Sequence, residues 1–428
     1  MYRSLHVNYR LWFLIVASIV FYAQWSLEHL VVLVASVCCN YMFALWLSKE
    51  VHFKKLLLGL IVVLNLLPLG YFKYANFLHV SEHSLVLPLA ISFFTFQQIA
   101  FGVDVYKGKI KLDGFREYLF FVLFFPQLIA GPIVHYNELL NQVKKPSWSE
   151  FNKELFAGGV VLFSIGLFKK IVLADNLATI ANGAFSKVDL SSYEAWLGIL
   201  GYSFQIYFDF SGYADMAIGL ALMFGLALPV NFDSPYKSRN IVEFWRKWHI
   251  TLSVFLKDHI YIPLGGNRVQ IFRQAFNLLI TMGVGGLWHG AGWNFIVWGL
   301  AHGICLAALH LSGIKLPKYI NIIFTFFIVT PLWVLFRASD LSSALEYYKI
   351  LFSFDGNWFN SFRINKEFFI LIGFFVIWAL PNSLRILGYE NGKVYLKWWH
   401  SLLGGVLAFV ALKTMATSPA VSFVYFNF

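Results

Sequence analysis

Histidines set in apolar sequence are the residues of this chain best suited to chemistry. The chain has 12 histidines. His289 lies in Gly-Gly-Leu-Trp-His-Gly-Ala-Gly-Trp. A titratable side chain in an apolar segment is costly and marks a functional candidate. The flanking glycines let a ligand or backbone come close, and Trp288 and Trp293 can form dry walls. A neutral imidazole there has its base strength set by burial and one hydrogen-bond partner. It suits a general base that takes a proton from a hydroxyl, an effect worth about 10²–10⁴ in rate. A packing histidine bonded to a carbonyl fits the same spacing equally well. His249 follows Trp245, Arg246, Lys247 and Trp248 in Phe-Trp-Arg-Lys-Trp-His-Ile-Thr-Leu-Ser. It could polarise an acyl carbonyl or orient a substrate, or it could be an interfacial histidine touching lipid headgroups. His302, in Trp-Gly-Leu-Ala-His-Gly, could orient the site or simply pack.

A second polar group lies upstream, in Tyr-Phe-Asp-Phe-Ser-Gly-Tyr-Ala-Asp-Met. Gln205 and Asp209 share a helix face. Asp209, Ser211 and Asp215 read either as a polar cavity wall or, with more weight, as interhelical glue. Buried carboxylates need partners in both cases. No His-Glu-x-x-His or comparable ligand spacing exists, so no metal is expected. No Gly-x-Ser-x-Gly elbow supports a serine hydrolase. Cys38, Cys39 and Cys305 have neither metal nor redox spacing and read as packing residues.

The elements that must position these groups are apolar helices. The chain is 59% hydrophobic and 13% charged, against about 25% charged in an average soluble domain. That excludes a soluble globular enzyme, a disordered chain and a disulfide scaffold. The composition predicts an all-α, polytopic integral membrane protein with about ten to thirteen transmembrane, re-entrant and interfacial helices. Candidate spans fall at 11–27, 30–47, 56–72, 85–103, 117–134, 156–174, 194–208, 212–228, 274–288, 292–311, 319–337, 367–386 and 399–416. Pro126, Gly131 and Pro132 should break the fifth, and Gly283, Gly285, Gly286, Gly290 and Gly292 the region around His289. The net charge of +11 reads as topology-setting lysine and arginine rather than nucleic-acid binding. Lys49, Lys54, Lys55, Lys107, Lys109, Lys111 and Arg116 place their loops, and the N-terminus, on the cytoplasmic side. The first apolar run lacks a small-residue cleavage site, so no cleaved signal peptide is expected. Residues 1–428 read as a single membrane domain. Within it, 231–273 is a cytoplasmic interfacial segment in which 240–259 forms one amphipathic helix. Its stripe is Trp245, Trp248, Leu252 and Phe255, its cap Asn240, and Glu243 pairs with Lys247.

Taken in order, eight stretches give a resemblance that none gives alone. They are Ser92–Gln97, Phe125–Pro132, Gln205–Gly219, Asn231–Tyr236, Phe244–Ser253, Tyr261–Arg268, Gly286–Gly303 and Trp333–Ala338. Together they resemble the membrane-bound O-acyltransferase superfamily, and within it the bacterial alginate O-acetyltransferase branch that also serves peptidoglycan. The Pro-Leu-Gly-Gly-Asn-Arg run favours this branch over teichoic-acid D-alanylation. The resemblance implies a central tunnel through a thinned membrane, with His289 at the family's catalytic position and His249 at its second polar position. His302 also matches a family histidine. It implies acetyl-CoA or another cytoplasmic acetyl thioester as donor substrate, with no bound cofactor, and Arg246 and Lys247 meeting the donor's anionic handle. Trp245, Trp248, Trp288 and Trp293 would line the chamber. It further implies the bacterial inner membrane, a periplasmic acetyltransferase-like partner, and polysaccharide or peptidoglycan as final acceptor. A D-alanyl transferase and a transporter or flippase without chemistry are the alternatives. Relatives usually carry one more apolar helix before Leu11. Tyr425, near the C-terminus, could relay acyl groups, though an interfacial aromatic belt is the plainer expectation.

Overall fold

The computed structural model describes residues 7–49, 52–78, 80, 86–312, 317–354, 364–390, 392–419 and 421–424. Among these residues the chain is helical and has no strand; Glu390 and Lys393 form an isolated bridge. The helices are α1 (Val7–Ala23), α2 (Leu27–Leu47), α3 (Lys54–Tyr74), α4 (Ile91–Tyr106), α5 (Phe115–Leu123), α6 (Phe125–Leu128), α7 (Tyr136–Val143), α8 (Lys153–Phe168), α9 (Asp175–Phe185) and α10 (Ser192–Met223). Then follow α11 (Ile241–Trp245), α12 (Ile250–Leu256), α13 (Ile271–His289), α14 (Trp293–Ser312), α15 (Lys318–Arg337), α16 (Leu341–Leu351), α17 (Ile364–Ala379), α18 (Ser383–Ile386) and α19 (Trp398–Thr417). Six stretches among the described residues are long and apolar enough to cross a bilayer: Leu27–Leu47, Lys54–Tyr74, Lys153–Phe185, Trp293–Ser312, Lys318–Arg337 and Trp398–Thr417. The chain is a multi-pass membrane protein.

The chain packs as two compact units, Met1–Val160 with Ala217–Pro229, and Val161–Met216 with Val230–Phe428. In the first, α2 and α3 are joined by a buried amide pair, Asn65 Nδ2 donating to Asn40 Oδ1 at 2.6 Å. Such polar glue joins helices where burial alone cannot. The predicted break is real: α5 stops at Leu123 and α6 starts at Phe125 with Pro126 in its first turn. Gln97 and Gln127 both donate to the Phe121 carbonyl, at 3.0 and 2.7 Å. They satisfy a carbonyl near the break, where lipid offers no partner.

The second unit differs from expectation at three places. The runs at 194–208 and 212–228 belong to one helix, α10, because Gly212 is used for close contact rather than as a stop. A Cβ on Gly166 of α8 would meet the Gly212 carbonyl, so these helices touch backbone to backbone. Residues 240–259 do not form one helix. α11 ends at Trp245, and His249 adopts a left-handed conformation (φ 44°, ψ 55°) before α12 begins. Its predicted stripe is buried within the protein: Trp245, Trp248, Leu252 and Phe255 are all in the core. The predicted cap and pair are present, with Asn240 Oδ1 accepting from Glu243 N and Lys247 Nζ 2.8 Å from Glu243. Finally, Gly283, Gly285 and Gly286 lie inside α13, which breaks only after His289. A Cβ on Gly286 would strike the Phe295 carbonyl and one on Gly299 the Met282 carbonyl. These glycines let α13 and α14 approach, rather than opening space for a ligand.

Candidate active site

The contact between α13 and α14 sets His289 in place. His289 is the last residue of α13 and is 4% exposed. Four rings surround it: Trp288 at 4.9 Å, Trp298 at 5.2 Å, Phe336 at 5.1 Å and His249 at 6.4 Å between ring centres. Trp298 comes from α14, which Asn294 ties to the end of α15 by donating to the Leu335 and Ala338 carbonyls, at 3.2 and 2.9 Å. That bond places Phe336 against the imidazole. The predicted wall of Trp288 is therefore present, joined by Trp298 and Phe336, which sequence reasoning missed. Trp293 is 63% exposed at the start of α14 and stands outside this buried cluster.

His249 is fully buried, and Phe210 of α10 packs against it at 4.7 Å. Its turn is held by Asn231. The Asn231 carbonyl accepts from Ile250 N at 3.0 Å. Its side-chain Oδ1 accepts from Thr251 N at 3.2 Å and Thr251 Oγ1 at 3.0 Å, and lies 3.3 Å from His249 Nδ1. Asn231 thus caps α12 from outside its own chain segment, satisfying the orphan donors of the first turn. A non-glycine residue at positive φ costs of order 1–3 kcal/mol and persists only where its surroundings hold it. Burial pushes the His249 imidazole down to about 3, so it is neutral. Trp248 stacks on Phe244 at 5.6 Å and meets Trp333 at 5.0 Å, supporting the turn from behind.

His302 lies one turn beyond Trp298, with ring centres 4.9 Å apart. Trp245 Nε1 is 3.3 Å from His302 Nδ1. An indole N–H can only donate, so Nδ1 bears the lone pair and Nε2 the hydrogen. Trp245 thereby orients His302, and Nε2 has no hydrogen-bond partner among the described residues.

Arg246 and Lys247, expected to act together, line different cavities. Arg246 lines one of about 650 Å³ with Trp245, Ile250, Lys257, Met282 and His310. Lys247 is paired with Glu243 and faces another of about 490 Å³ with Lys237, Arg239 and Lys318. Successive residues after α11 diverge in direction, and the turn at 246–249 sends the two side chains apart.

Asp209, Ser211 and Asp215 are buried in α10, and their partners are lysines that sequence reasoning missed. A π-helical turn, Lys169–Ala174, follows α8; such turns are frequent at functional sites. Lys169 Nζ reaches Asp215 at 2.7 Å, Ser383 at 2.5 Å and Ser211 at 3.4 Å. Lys170 Nζ reaches Asp209 at 2.9 Å and Asp175 at 2.7 Å. The second pair also grips the C-terminal tail: Lys170 Nζ donates to the Val421 carbonyl at 3.1 Å, and Val424 N donates to Asp209 Oδ2 at 2.7 Å. Phe423 meets Tyr213 at 5.1 Å. Tyr425 lies outside the described residues. No group of three or more His, Cys, Asp or Glu side chains among the described residues could hold a metal ion.

Two buried imidazoles in a dry aromatic box can move protons between bound groups; neither ring lines the 650 Å³ cavity, whose wall includes Ile250, the residue after His249. The sequence places this arrangement in a known setting. Residues 109–312 match the family described as "MBOAT, membrane-bound O-acyltransferase family". The chain is 44% identical over 392 residues to a "Peptidoglycan O-acetyltransferase" of Helicobacter pylori, covering 81% of this chain and 74% of that protein. It is 40% identical over 375 residues to a "Probable alginate O-acetylase" of Pseudomonas aeruginosa, covering 82% of this chain and 71% of that one. A "Teichoic acid D-alanyltransferase" of Bacillus subtilis is 29% identical over 279 residues, covering 60% and 69%. The helical architecture, the motifs and these relatives converge: the chain belongs to the membrane-bound O-acyltransferase family and is an O-acyltransferase.

Proposed function

We propose that the protein is an O-acetyltransferase of the bacterial inner membrane. It moves an acetyl group from a cytoplasmic thioester, acetyl-CoA, across the membrane for O-acetylation of peptidoglycan or a surface polysaccharide. The names of the relatives support acetyl transfer, and 44% against 29% identity favours it over D-alanylation. The observation that carries the site assignment is the pairing of His289 with His249, 6.4 Å apart and enclosed by Trp288, Trp298 and Phe336.

In this reading the acetyl thioester occupies the 650 Å³ cavity, with its phosphates at Arg246 and Lys257. That volume lies in the range of about 300–1,000 Å³ usual for ligand sites. His289 takes the proton of the acceptor hydroxyl as its oxygen attacks the acyl carbon. The carbon–sulfur bond breaks, and His289 returns the proton to the departing thiolate. Dry rings around the imidazole keep water from competing as the acceptor. Residues 1–428 act as one membrane domain, with 231–273 turned to the cytoplasm to receive the donor. A periplasmic acetyltransferase-like protein completes transfer to the polymer. Tyr425, which follows the tail anchored by Asp209 and Lys170, is the proposed relay hydroxyl.

Purified protein given an acetyl thioester and an acceptor should release thiol together with acetylated product. His289→Ala should lower that rate by at least about 10²-fold. Cells lacking the protein should lose base-labile acetate from peptidoglycan or from surface polysaccharide, which identifies the acceptor. Unchanged acetate in both polymers would contradict the acetylation reading.

A further inference from the structure

The 490 Å³ cavity that Lys247 faces gathers more positive charge than the protein answers. Lys237, Arg239, Lys247 and Lys318 share it with one carboxylate, Glu243. Glu243 is already occupied: Lys247 Nζ lies 2.8 Å from it, and Arg239 N donates to its Oε2 at 2.8 Å. Lys237 Nζ donates to the Leu380 carbonyl at 2.7 Å, just past α17, which holds the ammonium in place and leaves two of its three N–H groups for another acceptor. The Arg239 guanidinium and the Lys318 ammonium form no ion pair among the described residues. Lys318 opens α15, whose first turn has no acidic residue, and the helix N-terminus adds about half a positive charge there. Burial, then Arg385 and Lys247, outweigh Asp233 and hold the Lys237 ammonium below the ordinary lysine range. Like charges gathered this way repel, and an anion in the cavity relieves that repulsion.

The cavity lies at one end of a membrane span. α15 is long and apolar enough to cross a bilayer, and its first turns line the cavity through Lys318, Tyr319, Ile322 and Ile323. Lysine and arginine gathered at such an end mark the cytoplasmic side. From there an exposed apolar stripe runs along α15 through Ile320, Ile323, Phe324 and Phe327, at helical spacing. Ile323 belongs to both, so the charged cavity opens onto the stripe. Trp378 of α17 completes the wall, held by Phe326 and Phe374 at 4.9 and 5.0 Å. Tyr319 and Trp378 are of the ring types enriched at headgroup level. A free phosphate would use the cations and leave the stripe idle, whereas a phospholipid uses both.

We propose that this cavity binds the phosphodiester headgroup of an anionic phospholipid of the cytoplasmic leaflet, with an acyl chain laid along Ile323 and Phe327 of α15. Basic pockets between membrane helices on that side suit such headgroups. Arg239 and Lys318 take the phosphate oxygens through charge-assisted hydrogen bonds, and Lys237 supplies the third unanswered charge. A headgroup without an amine fits, as in phosphatidylglycerol. The amine of phosphatidylethanolamine would meet these cations with Glu243 already taken. The site is separate from the acyl-transfer centre, since neither His249 nor His289 lines it, and it stands whichever acyl group is transferred.

Native mass spectrometry of the full-length protein in detergent tests this, by titration with phosphatidylglycerol or with phosphatidylethanolamine of the same acyl chains. Wild type should bind the first phosphatidylglycerol at least about tenfold more tightly. Each basic residue near a membrane surface is worth about fivefold in binding an anionic lipid. Arg239→Gln with Lys318→Gln should therefore weaken phosphatidylglycerol binding by about thirtyfold and leave phosphatidylethanolamine unchanged. Both side chains are exposed, so the fold should survive, with the unfolding midpoint as the check. Lys54→Gln with Lys55→Gln removes the same charge at the start of α3 and should leave both lipids bound as in wild type. Equal binding of the two lipids by wild type overturns the proposal and requires no variant to fold. So does unchanged phosphatidylglycerol binding in the Arg239 and Lys318 variant, or an equal loss in the Lys54 and Lys55 variant. Inorganic phosphate and coenzyme A distinguish a lipid from a soluble phosphate compound. Neither should displace phosphatidylglycerol from wild type. Displacement by either one gives the cavity to a soluble phosphate and overturns the lipid assignment.

Discussion

Removing the Lys169 ammonium should damage the protein far more than removing the whole ion pair. Lys169 Nζ binds Asp215, Ser383 and Ser211, and Ser383 Oγ itself donates to Asp215 at 2.6 Å. Both charged side chains are buried, at 11% and 8% exposure. Lys169→Met leaves the Asp215 carboxylate without its cation, a loss of about 3–5 kcal/mol. Unfolding entropy grows with length at about 2.1 cal/mol/K per residue, so in a chain of 428 residues each kcal/mol shifts the midpoint by roughly 1 °C. The single variant should therefore melt roughly 3–6 °C lower. Lys169→Met with Asp215→Leu replaces the pair by apolar groups of similar volume, which is often neutral. The double variant should recover most of the loss. The assay is thermal unfolding of detergent-purified protein across the full mutant cycle, with acyl transfer measured beside it. If the double variant melts as low as the single one, the uncompensated carboxylate is not the cause. If Lys169→Met melts like wild type, the pair contributes nothing and the reasoning fails.

Four other outcomes follow from the geometry. Gly299→Val should force α14 away from the Met282 carbonyl, shift Trp298 off His289 and lower transfer by about 10²-fold, as a 1 Å misplacement can; retained activity would show that the glycine contact does not place the site. Arg246→Ala should raise KM for the thioester with little change in kcat, while Lys247→Ala, whose side chain is paired with Glu243 and faces another cavity, should leave both near wild type. Trp245→Phe should cost about 1 kcal/mol in stability by removing the donor to His302 Nδ1, read as a lower unfolding midpoint. His249, buried neutral with its pKa taken from an ordinary 6.5 to about 3, binds a proton in the unfolded chain before it does in the folded one; its contribution to stability is therefore full above about 6.5 and falls as pH drops towards 3, by up to about 1.4 kcal/mol per unit, and His249→Asn should flatten that slope.

The fold class was legible because scarcity of charge leaves few alternatives. The break at Phe124 was legible because Pro126 cannot continue the preceding helix. The histidine frames were legible because polar groups in apolar sequence need a reason. The partners were hidden for a physical reason. Lys169 and Lys170 lie some forty residues before the carboxylates they bind, and only the close approach of Gly166 to Gly212 brings them together. Their burial in a predicted span was the available signal, since lysines within apolar sequence need a counter-charge. The turn at His249 was hidden because helical spacing through Trp245, Trp248 and Leu252 also describes two short helices on one core-facing side. Asn231 was visible only as part of a motif, because its role depends on Thr251 and His249 folding back onto it. The glycines near His289 suggested open space; packing against Phe295 and Met282 is what uses them.

The central claim is that His289 moves the proton in acyl transfer. It is tested most directly by single-turnover transfer from an acetyl thioester to acceptor hydroxyl, comparing wild-type protein with His289→Ala at matched folding and donor binding. The variant should bind donor normally and lose at least about 10²-fold in the transfer step. Transfer at the wild-type rate by His289→Ala would contradict it.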